Sequence, residues 1–245
     1  MVEAVDHRLT ERDRLWREKP ALRRVYQHLY ARMRAACVPG ATLEIGGGSG
    51  IFKEFAPDTI TTDIIAAPWL DLVADAQCLP FADGRFANIV MFDVLHHIEY
   101  PRHFFTEALR VLQPGGRLIM VEPAITPVSW PFYHFLHQED VDLGADPLRE
   151  GQPSSARDPF HANQAIPSLL VGSHSGRLAA LFPNFSLRRR EWMSLIAYPL
   201  SGGFKSWSAI PSWLVPAVLW IEDLLSPLLG RLWAFRLLIV FEKTR

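Results

Sequence analysis

The sequence predicts an α/β fold built on a doubly wound parallel sheet, and two observations support this class. Short apolar runs alternate with stretches of helical spacing over residues 39–123, as they do where crossover helices join parallel strands. The run at residues 86–93 (FANIVMFD) is almost entirely apolar, which is typical of a strand buried on both faces. With 245 residues, 49% of them hydrophobic, the chain can form one such domain with an appendage, or two small domains.

The composition divides the chain into three parts, which we interpret as one domain. Residues 1–38 are rich in arginine and carry apolar residues at roughly helical spacing, which predicts an N-terminal helical cap broken near Pro20. The cap either packs on the main domain with one face in solvent, closes over the ligand site as a lid, or faces anionic lipid. Residues 39–123 form the predicted ligand-binding core, and residues 124–245 complete the sheet and carry an apolar insertion.

The core is predicted to contain strands, helices and a turn in regular succession. Each strand is short and apolar, and each helix presents its apolar residues on one side. Ligands of such sheets bind at the carboxyl ends of the strands, near the switch in strand order. The predicted elements are strands at 42–45, 59–62, 86–93 and 117–121, helices beginning at 51–55 and covering 101–112, and a turn at 113–116.

The segment after residue 123 is predicted to hold a loop, two strands and the insertion. Residues 144–168 are rich in Pro, Gly, Asp and Ser, which predicts a long functional loop, and strands follow at 187–197 and 235–243. The insertion at about 206–233 is predicted as a helical hairpin over an apolar pocket, or as a monotopic helix with tryptophans at the headgroup level. Its uncharged run, 206–221, is shorter than the roughly 20 residues of a membrane span, so we expect no transmembrane segment.

Residues 41–50 (ATLEIGGGSG) place four glycines within five positions, directly after a predicted strand. Glycine costs backbone entropy, so the chain must bend sharply there or a ligand must approach the backbone closely. The spacing does not fit a dinucleotide fingerprint, whose third glycine would fall at Ile51 or Lys53, and a P-loop is absent. What remains is an E-x-G-x-G-x-G pattern with two later acids, which suits a cationic ligand that carries an amino group, a ribose and an adenine. These residues are Glu44, Gly46, Gly48, Gly50, Asp63 and Asp75.

Four motifs together resemble the class I S-adenosylmethionine-dependent methyltransferases of the small-molecule type, which includes the ubiquinone/menaquinone biosynthesis methyltransferases and the methyltransferase type 11 domain. The motifs are LEIGGGSG (43–50), TTDI (61–64), ADAQCLPFADGRFANIVMFDVLHHI (74–98) and ALRVLQPGGRLIMVEP (108–123). The resemblance implies a Rossmann-like seven-stranded sheet with N-terminal helices, a helical insertion before the last strand and an antiparallel last strand. In one departure, Ala87 and Asn88 follow the phenylalanine that opens the fourth strand, where the family usually has an acid of generally structural role.

The resemblance also implies S-adenosyl-L-methionine as the cofactor and assigns its contacts. An acid below the glycine turn, Glu44, would favour the ammonium and the sulfonium by charge, and Asp63 would accept both ribose hydroxyls. Three acids have structural alternatives, with Glu44 as a helix cap, Asp75 as a turn residue and Asp93 as a helix N-cap. The residues assigned to the cofactor, from the methionine end across ribose and adenine to the sulfonium, are Glu44, Gly46, Gly48, Gly50, Asp63, Asp75, Ala76, Asp93 and His96.

Methyl transfer proceeds by in-line displacement at the sulfonium methyl, so the protein supplies position, desolvation and, for a hydroxyl acceptor, a base. His97 follows the fourth strand at the mouth of the pocket, and His137 lies in a region that commonly caps the acceptor site of this fold. We predict both as catalytic bases; the alternatives are a packing or cofactor-lining role and a solvated loop. The irregular spacing of the polar cluster around the second histidine predicts no metal site. This cluster comprises His134, His137, Glu139, Asp140, Asp142 and His161.

The predicted function is methyl transfer from S-adenosyl-L-methionine to a small-molecule acceptor with a hydrophobic part. One alternative is an enzyme for a lipid or lipid-linked intermediate at the membrane face, with a peripheral membrane contact or a homodimer through residues 206–233. An alternative of another class is a catalytically silent cofactor-binding scaffold subunit. A net charge of −1 gives no field that favours nucleic acid, so no such partner is expected. Two cysteines and a charged N-terminal stretch predict a cytoplasmic location, or a peripheral one at the inner membrane face.

Overall fold

A seven-stranded sheet runs through the part of the chain that the structure describes and confirms the predicted α/β class. The structure is a computed structural model, and it describes residues 6–154 and 157–245. The strands are β1 (Thr42–Ile45), β2 (Ile60–Asp63), β3 (Leu72–Val73), β4 (Phe86–Phe92), β5 (Leu112–Pro123), β6 (Phe185–Met193) and β7 (Arg236–Lys243). Their order across the sheet is β3-β2-β1-β4-β5-β7-β6. Among these described strands, β7 alone runs in the opposite direction to the other six. The order reverses between β1 and β4, which leaves a crevice for a ligand at their carboxyl ends.

Helices cover both faces of the sheet. The break in the N-terminal cap falls at Pro20, as predicted, because a proline is tolerated in the first turn of a helix but not in its interior. Residues 1–5 of the predicted cap and residues 155–156 of the predicted long loop lie outside the described residues, and the division into three parts stays a prediction. The helices are α1 (His7–Glu18), α2 (Pro20–Ala36), α3 (Pro101–Val111), α4 (Ser129–Leu136), α5 (Ile166–Val171), α6 (Ser175–Leu181), α7 (Ala197–Ser201) and α8 (Val215–Trp233).

Two hydrophobic cores flank the sheet, and the alternation of β4 shows how they form. Ile89 and Met91 point to the core that contains α3, α5 and α6, whereas Val90 points to the core that contains α2, α7 and α8. Successive side chains of a strand leave opposite faces, so a strand between two helical layers must be apolar at every position. The unbroken apolar run that predicted this strand therefore reflects its place in the middle of the sheet.

Three predicted local features are wrong. The helix expected from residues 51–55 is a single 3₁₀ turn, Ile51–Glu54, because Pro57 follows closely and disfavours helical geometry in the residue before it. The strand expected at 187–197 begins and ends earlier, as β6, since the chain turns at Ser194 with a φ of +59°. The insertion expected as a helical hairpin is one long helix, α8, preceded by the short α7 and an irregular segment.

The turn expected at residues 113–116 is instead a bulge within β5. Phe86 pairs with Leu112, and Asn88 pairs with Arg117, so residues 113–116 all face a single position of β4. A bulge of this kind keeps the strand in the sheet while it accommodates extra residues.

Asn88 occupies the position where the family that the sequence resembles usually has an acid, and its contacts are structural. The side-chain amide accepts a hydrogen bond from the backbone N–H of Val38 (2.9 Å) and donates one to the Val38 carbonyl (2.8 Å). It also lies 3.2 Å from Thr42 Oγ1. Asn88 therefore ties the segment that leaves α2 to the central strands, as expected of a residue that is 1% exposed.

The substitution Asn88→Ala should lower the free energy of unfolding by about 2–3 kcal/mol, because it leaves the buried polar groups of Val38 without their partners. Urea denaturation monitored by circular dichroism measures the change, with the exposed Gln113→Ala as the control. Equal unfolding midpoints for Asn88→Ala and the control would contradict this structural role.

Candidate active site formed by two adjoining cavities

The first cavity is a cleft of about 520 Å³ at the carboxyl ends of β1, β2 and β4. It lies where a doubly wound sheet binds its ligand, beside the switch in strand order. The helix α1 closes part of it with Leu9 and Arg12. Most of the residues assigned to the cofactor meet here. Those that line the cleft are Gly46, Gly48, Asp63, Asp75, Ala76 and Asp93, together with His97.

The glycine turn needs glycine for backbone and steric reasons. Gly46 and Gly48 have φ values of +74° and +47°, in the left-handed region that other residues adopt at a cost. A Cβ on Gly46 would lie 2.1 Å from the Val94 side chain. The turn therefore brings backbone into the cleft at a point where no side chain would fit.

Asp63, at the end of β2, is held in place by two backbone donors. One carboxylate oxygen accepts a hydrogen bond from the N–H of Gly48 (2.8 Å), and the other accepts one from the N–H of Ile65 (2.9 Å). Burial raises the pKa of Asp63, and these backbone hydrogen bonds oppose that shift. Because each oxygen of a carboxylate can accept a second hydrogen bond, the group can still receive a vicinal diol from the cleft.

Glu44 lies beneath the glycine turn, and it does not line the cleft. It is 6% exposed, and its Oε2 has no hydrogen-bond partner in the structure. Burial, reinforced by the charge of Asp63, raises the pKa of Glu44 to about 8. A buried carboxyl without a cationic partner favours a positively charged ligand nearby, so the residues present fit the ammonium and sulfonium of S-adenosylmethionine.

Two other residues assigned to the cofactor also lie away from the cleft. Gly50 packs against Trp69, and a Cβ there would approach the indole to 2.7 Å. The indole N–H of Trp69 donates to the carbonyl of Gly48 (2.7 Å), so this tryptophan supports the glycine turn. His96 is buried and lines the second cavity described below. Neither Gly50 nor His96 lines the cleft, and their contacts with the cofactor stay predictions.

The second cavity, of about 560 Å³, adjoins the cleft and is rich in aromatic side chains. The two cavities share Arg12, Asp93, His97 and Phe160 as lining residues, so the same side chains face both spaces. No residue of α8 lines either cavity, whereas Trp207, at the start of the predicted insertion, lines the second one; that the insertion covers the pocket stays a prediction. The aromatic residues of the second cavity are Tyr26, Phe132, Tyr133, Phe160, Tyr198, Phe204 and Trp207.

The N-terminal helix α1 is a wall of both cavities. The guanidinium of Arg8 lies 3.4 Å from the centroid of the Phe160 ring and 3.7 Å from Asp158. Lys19, at the end of α1, donates to the backbone carbonyls of Gly203 and Lys205 (2.6 and 2.5 Å). These contacts tie α1 to the loops that enclose the second cavity, so the cap covers the site and also packs on the main domain.

A buried ion pair between Asp93 and Arg236 stands at the wall between the cavities. Asp93 follows β4 with a φ of +58°, and Arg236 opens β7 with 2% exposure and lies 4.1 Å from the Tyr198 ring. Burial raises the pKa of Asp93, and the charge of Arg236 opposes that shift. Sequence analysis overlooked Arg236; the signal was an arginine at the start of an otherwise apolar strand.

His96 and His97 have opposite surroundings although they are adjacent. His96 lies between Glu122 (2.7 Å) and Glu139 (3.4 Å); burial alone would lower its pKa, but these carboxylates raise it to about 10. Burial, reinforced by the charge of His96, lowers the pKa of His97 to about 3. His97 is therefore neutral at physiological pH, and it faces both cavities.

Only part of the predicted polar cluster reaches the site. His137 and Glu139 line the second cavity, with His137 Nδ1 3.9 Å from a carboxylate oxygen of Glu139. Burial lowers the pKa of His137. Burial alone would raise the pKa of Glu139, but the hydrogen bond and charge of His96 outweigh burial and lower it. The other members are exposed and line neither cavity: His134, Asp140, Asp142 and His161.

Comparison with known proteins agrees with this arrangement. Residues 43–120 match the family described as the methyltransferase domain. A ubiquinone/menaquinone biosynthesis C-methyltransferase of Desulfotalea psychrophila is 28% identical over 108 residues, which cover 41% of this chain and 44% of that protein. A phthiotriol/phenolphthiotriol dimycocerosates methyltransferase of Mycobacterium ulcerans is 33% identical over 86 residues, which cover 34% of this chain and 28% of that protein. The matches thus span less than half the length of these relatives.

A solved structure shares the fold over nearly the whole chain. The S-adenosylmethionine-dependent methyltransferase of Thermotoga maritima superimposes with a TM-score of 0.57 at 14% identity, covering 98% of this chain and all of that one. At this identity the likeness concerns the fold alone. The family match thus gives a methyltransferase domain at residues 43–120, and the fold is that of the class I S-adenosylmethionine-dependent methyltransferases, as the sequence predicted.

The pH dependence of stability should change when Glu44 is replaced by glutamine. The carboxyl is protonated in the folded protein up to a pKa of about 8 but only up to its ordinary value when unfolded. The unfolded state therefore gains about 1.4 kcal/mol per pH unit between these two values. Relative to wild type, Glu44→Gln should be little changed at pH 5 and more stable by a few kcal/mol at pH 8.

Urea denaturation of the ligand-free protein at several pH values measures this difference, with the exposed Glu18→Gln as the matched control. A stability difference between wild type and Glu44→Gln that stays constant from pH 5 to 8 would contradict the raised pKa of Glu44.

Proposed function

We propose that the protein transfers a methyl group from S-adenosyl-L-methionine to a small-molecule acceptor with a hydrophobic part. The observation that carries the proposal is the wall of four residues shared by the cofactor cleft and the aromatic cavity. A sulfonium methyl held in the first cavity at this wall faces the second cavity, as in-line displacement requires. A silent scaffold subunit would need no second cavity, so this feature favours an enzyme.

In this mechanism the protein positions two ligands and keeps water out. S-adenosylmethionine supplies the activated methyl group. Asp63 holds the ribose, and the glycine turn admits the methionine end of the cofactor. Glu44, beneath the turn, favours the positive charges of the ammonium and the sulfonium. The helix α1 and Phe160 cover the junction between the cavities. The predicted roles of His97 and His137 as bases stay predictions; both imidazoles border the aromatic cavity.

The acceptor is proposed to be aromatic, quinoid or lipid-like. Seven aromatic side chains border the second cavity and can stack on a flat ring or contact an alkyl chain. Two of the relatives are methyltransferases of ubiquinone/menaquinone biosynthesis and of phthiotriol/phenolphthiotriol dimycocerosates, which supports an acceptor of this kind.

Cofactor binding should depend on Asp63. Asp63→Ala should weaken binding of S-adenosylhomocysteine at least about 10-fold, because it removes charged acceptors of hydrogen bonds from the ribose hydroxyls. Isothermal titration calorimetry measures the affinity, with the exposed Asp58→Ala as the control. Equal affinities for the two variants would remove Asp63 from the ribose site, and no binding by the wild type would overturn the proposed function.

We further propose that the acceptor is reached from a lipid bilayer, on which α8 lies. One face of α8 is apolar and exposed; it carries Trp220 (65% exposed), Leu224 (58%), Leu228 (83%) and Leu232 (51%) at helical spacing. An exposed apolar patch of this extent is unusual in a monomer. Among the described helices, none combines the length and apolar character needed to cross a bilayer, so the proposed contact is peripheral.

The charges of α8 and the position of the second cavity favour a bilayer over a second protein copy. Glu222 accepts hydrogen bonds from the N–H groups of Ile196 and Ala197, and Asp223 pairs with Arg32 (3.0 Å). Glu222 and Asp223 are thus both bound by other groups of the protein. The apolar face of α8 therefore presents no carboxylate that anionic lipid would repel. Trp207, 47% exposed, borders the aromatic cavity and offers an apolar path from the surface.

The double variant Trp220→Ser/Leu228→Ser should lose binding to liposomes, because it removes two of the most exposed apolar side chains of α8. Sedimentation with zwitterionic and with anionic vesicles measures binding, and Leu143→Ser, an exposed loop position, is the control. Wild-type protein that stays in the supernatant with both vesicles would contradict the membrane contact. A dimer in light scattering that the double variant abolishes would assign the apolar face to a second copy instead.

A further inference from the structure

The floor of the aromatic cavity holds a carboxylate–histidine pair of fixed orientation. One oxygen of Glu122 accepts hydrogen bonds from the backbone N–H groups of Val94 (2.9 Å) and Leu95 (2.8 Å). The other oxygen lies 2.7 Å from Nδ1 of His96. Because Glu122 is fully buried and fixed by the backbone, it holds the proton of His96 on Nδ1. Nε2 of His96 is then directed away from Glu122, towards the cavity.

Nε2 of His96 lies close to other potential ligand atoms. His96 Nε2 lies 3.4 Å from one carboxylate oxygen of Glu139, and His97 Nε2 lies 4.0 Å from the other. Ligand atoms of these three residues lie within 4.8 Å of one another. A carboxylate between two imidazoles needs a cation, which is either the proton that makes His96 an imidazolium or a metal ion that takes the place of that proton. The edge of a tetrahedron with metal–ligand bonds of about 2.1 Å measures about 3.4 Å, which agrees with the shorter of the two distances.

Independent evidence comes from a buried polar atom beside the same point. Gln164 is 2% exposed and borders the cavity; its Nε2 donates a hydrogen bond to Glu139, whereas its Oε1 has no partner in the structure. An unpaired buried oxygen is costly, and a water molecule on a metal ion bound by Glu139 would supply the donor that Gln164 Oε1 lacks.

A second set of potential ligand atoms, which includes Asp93, lies beside the first. Arg236 is engaged by Asp93 at the wall between the cavities. The alternative ligand set of Asp93, His96 and Glu122 is therefore disfavoured, because Arg236 already neutralises Asp93 and backbone N–H groups occupy one oxygen of Glu122.

We propose that His96, His97 and Glu139 bind a divalent first-row transition-metal ion at the floor of the aromatic cavity, with Glu122 as the carboxylate that orients His96. Two imidazoles and one carboxylate form a donor set typical of zinc or ferrous iron. His137 Nδ1, 3.9 Å from the Glu139 carboxylate, accepts a hydrogen bond from the backbone N–H of Glu139 (3.3 Å) and is not counted among the ligands. The sequence expectation of no metal site is thereby replaced, because the ligands come from two distant segments whose spacing in the chain carries no metal signature.

The site implies the class of acceptor. A coordination position open to the cavity would bind an acceptor oxygen and lower the pKa of a phenol, a quinol or an enol, which prepares it for methylation. This role rests on the proposed methyl transfer, whereas the metal site itself does not.

Cobalt binding by the full-length protein after treatment with a chelator tests the site. Titration with Co²⁺, followed by calorimetry and visible absorption, should show one equivalent bound with the spectrum of a cobalt ion that has nitrogen ligands. Glu139→Gln and His97→Ala should weaken binding at least about 10-fold, and Glu122→Gln should weaken it about 10- to 100-fold by releasing His96. His174→Ala is the matched control, since that histidine also lies 4.0 Å from an acid, Asp146, but outside the cavities.

Circular dichroism and S-adenosylhomocysteine binding of each variant establish that it is folded. One equivalent of Co²⁺ lost in the ligand variants but kept in His174→Ala supports the site. No saturable binding by the wild type, or equal binding by a folded Glu139→Gln, would overturn it. Metal binding and S-adenosylhomocysteine binding without methyl transfer to phenolic or quinol acceptors would contradict the proposed function alone.

Discussion

The buried ion pair of Asp93 and Arg236 is the interaction on which the arrangement of the site depends. It joins the end of β4 to the start of β7, two strands that are not neighbours in the sheet. The pair stands where the two cavities meet, so it also orders the wall that both ligands would share. Removal of one partner would leave an unpaired charge in the interior, which is more costly than the loss of a surface ion pair. The left-handed backbone at Asp93 is thus stabilised by the packing around Arg236.

The same end of the sheet concentrates acids in an interior that is otherwise apolar. Glu44 lies under the glycine turn, Asp63 borders the cofactor cleft, and Glu122 and Glu139 surround His96. Buried acids are costly unless a cation or backbone donors compensate them. Around the glycine turn the compensation is assigned to a cationic cofactor, and around His96 to a metal ion. Both proposals follow from the same need to neutralise negative charge at the carboxyl ends of the strands.

The sequence predicted the fold class, and most of the residues that it assigned to the cofactor line one cleft, because both depend on local patterns. The apolar run of β4 and the glycine turn are each contained in a few consecutive residues, and Asp63 follows directly from the end of a strand. Local signals failed where a neighbour distant in the chain decides the outcome. Gly50 faces Trp69, and His96 faces Glu122, so neither reaches the cofactor cleft.

The surroundings of the apolar insertion and the walls of the second cavity could not be predicted, because both depend on residues that are distant in the chain. Tryptophans and leucines at helical spacing predict a helix, but they do not reveal whether the apolar face meets protein or solvent. Similarly, the walls of the aromatic cavity come from α1, α4, the loop before α8 and the start of β7, which no single motif unites. Asn88 departs from the family pattern, and its role is structural because its amide forms hydrogen bonds with the backbone of Val38. This partner is also distant in the chain.

A crystal structure of the protein with S-adenosylhomocysteine tests the central claim most directly, because that claim concerns where two ligands lie. The account predicts the ribose hydroxyls within hydrogen-bond distance of Asp63 and the sulfur at the wall of Asp93 and His97, facing an accessible aromatic cavity. A nucleoside bound outside the cleft, or a sulfur that points away from the second cavity, would contradict it.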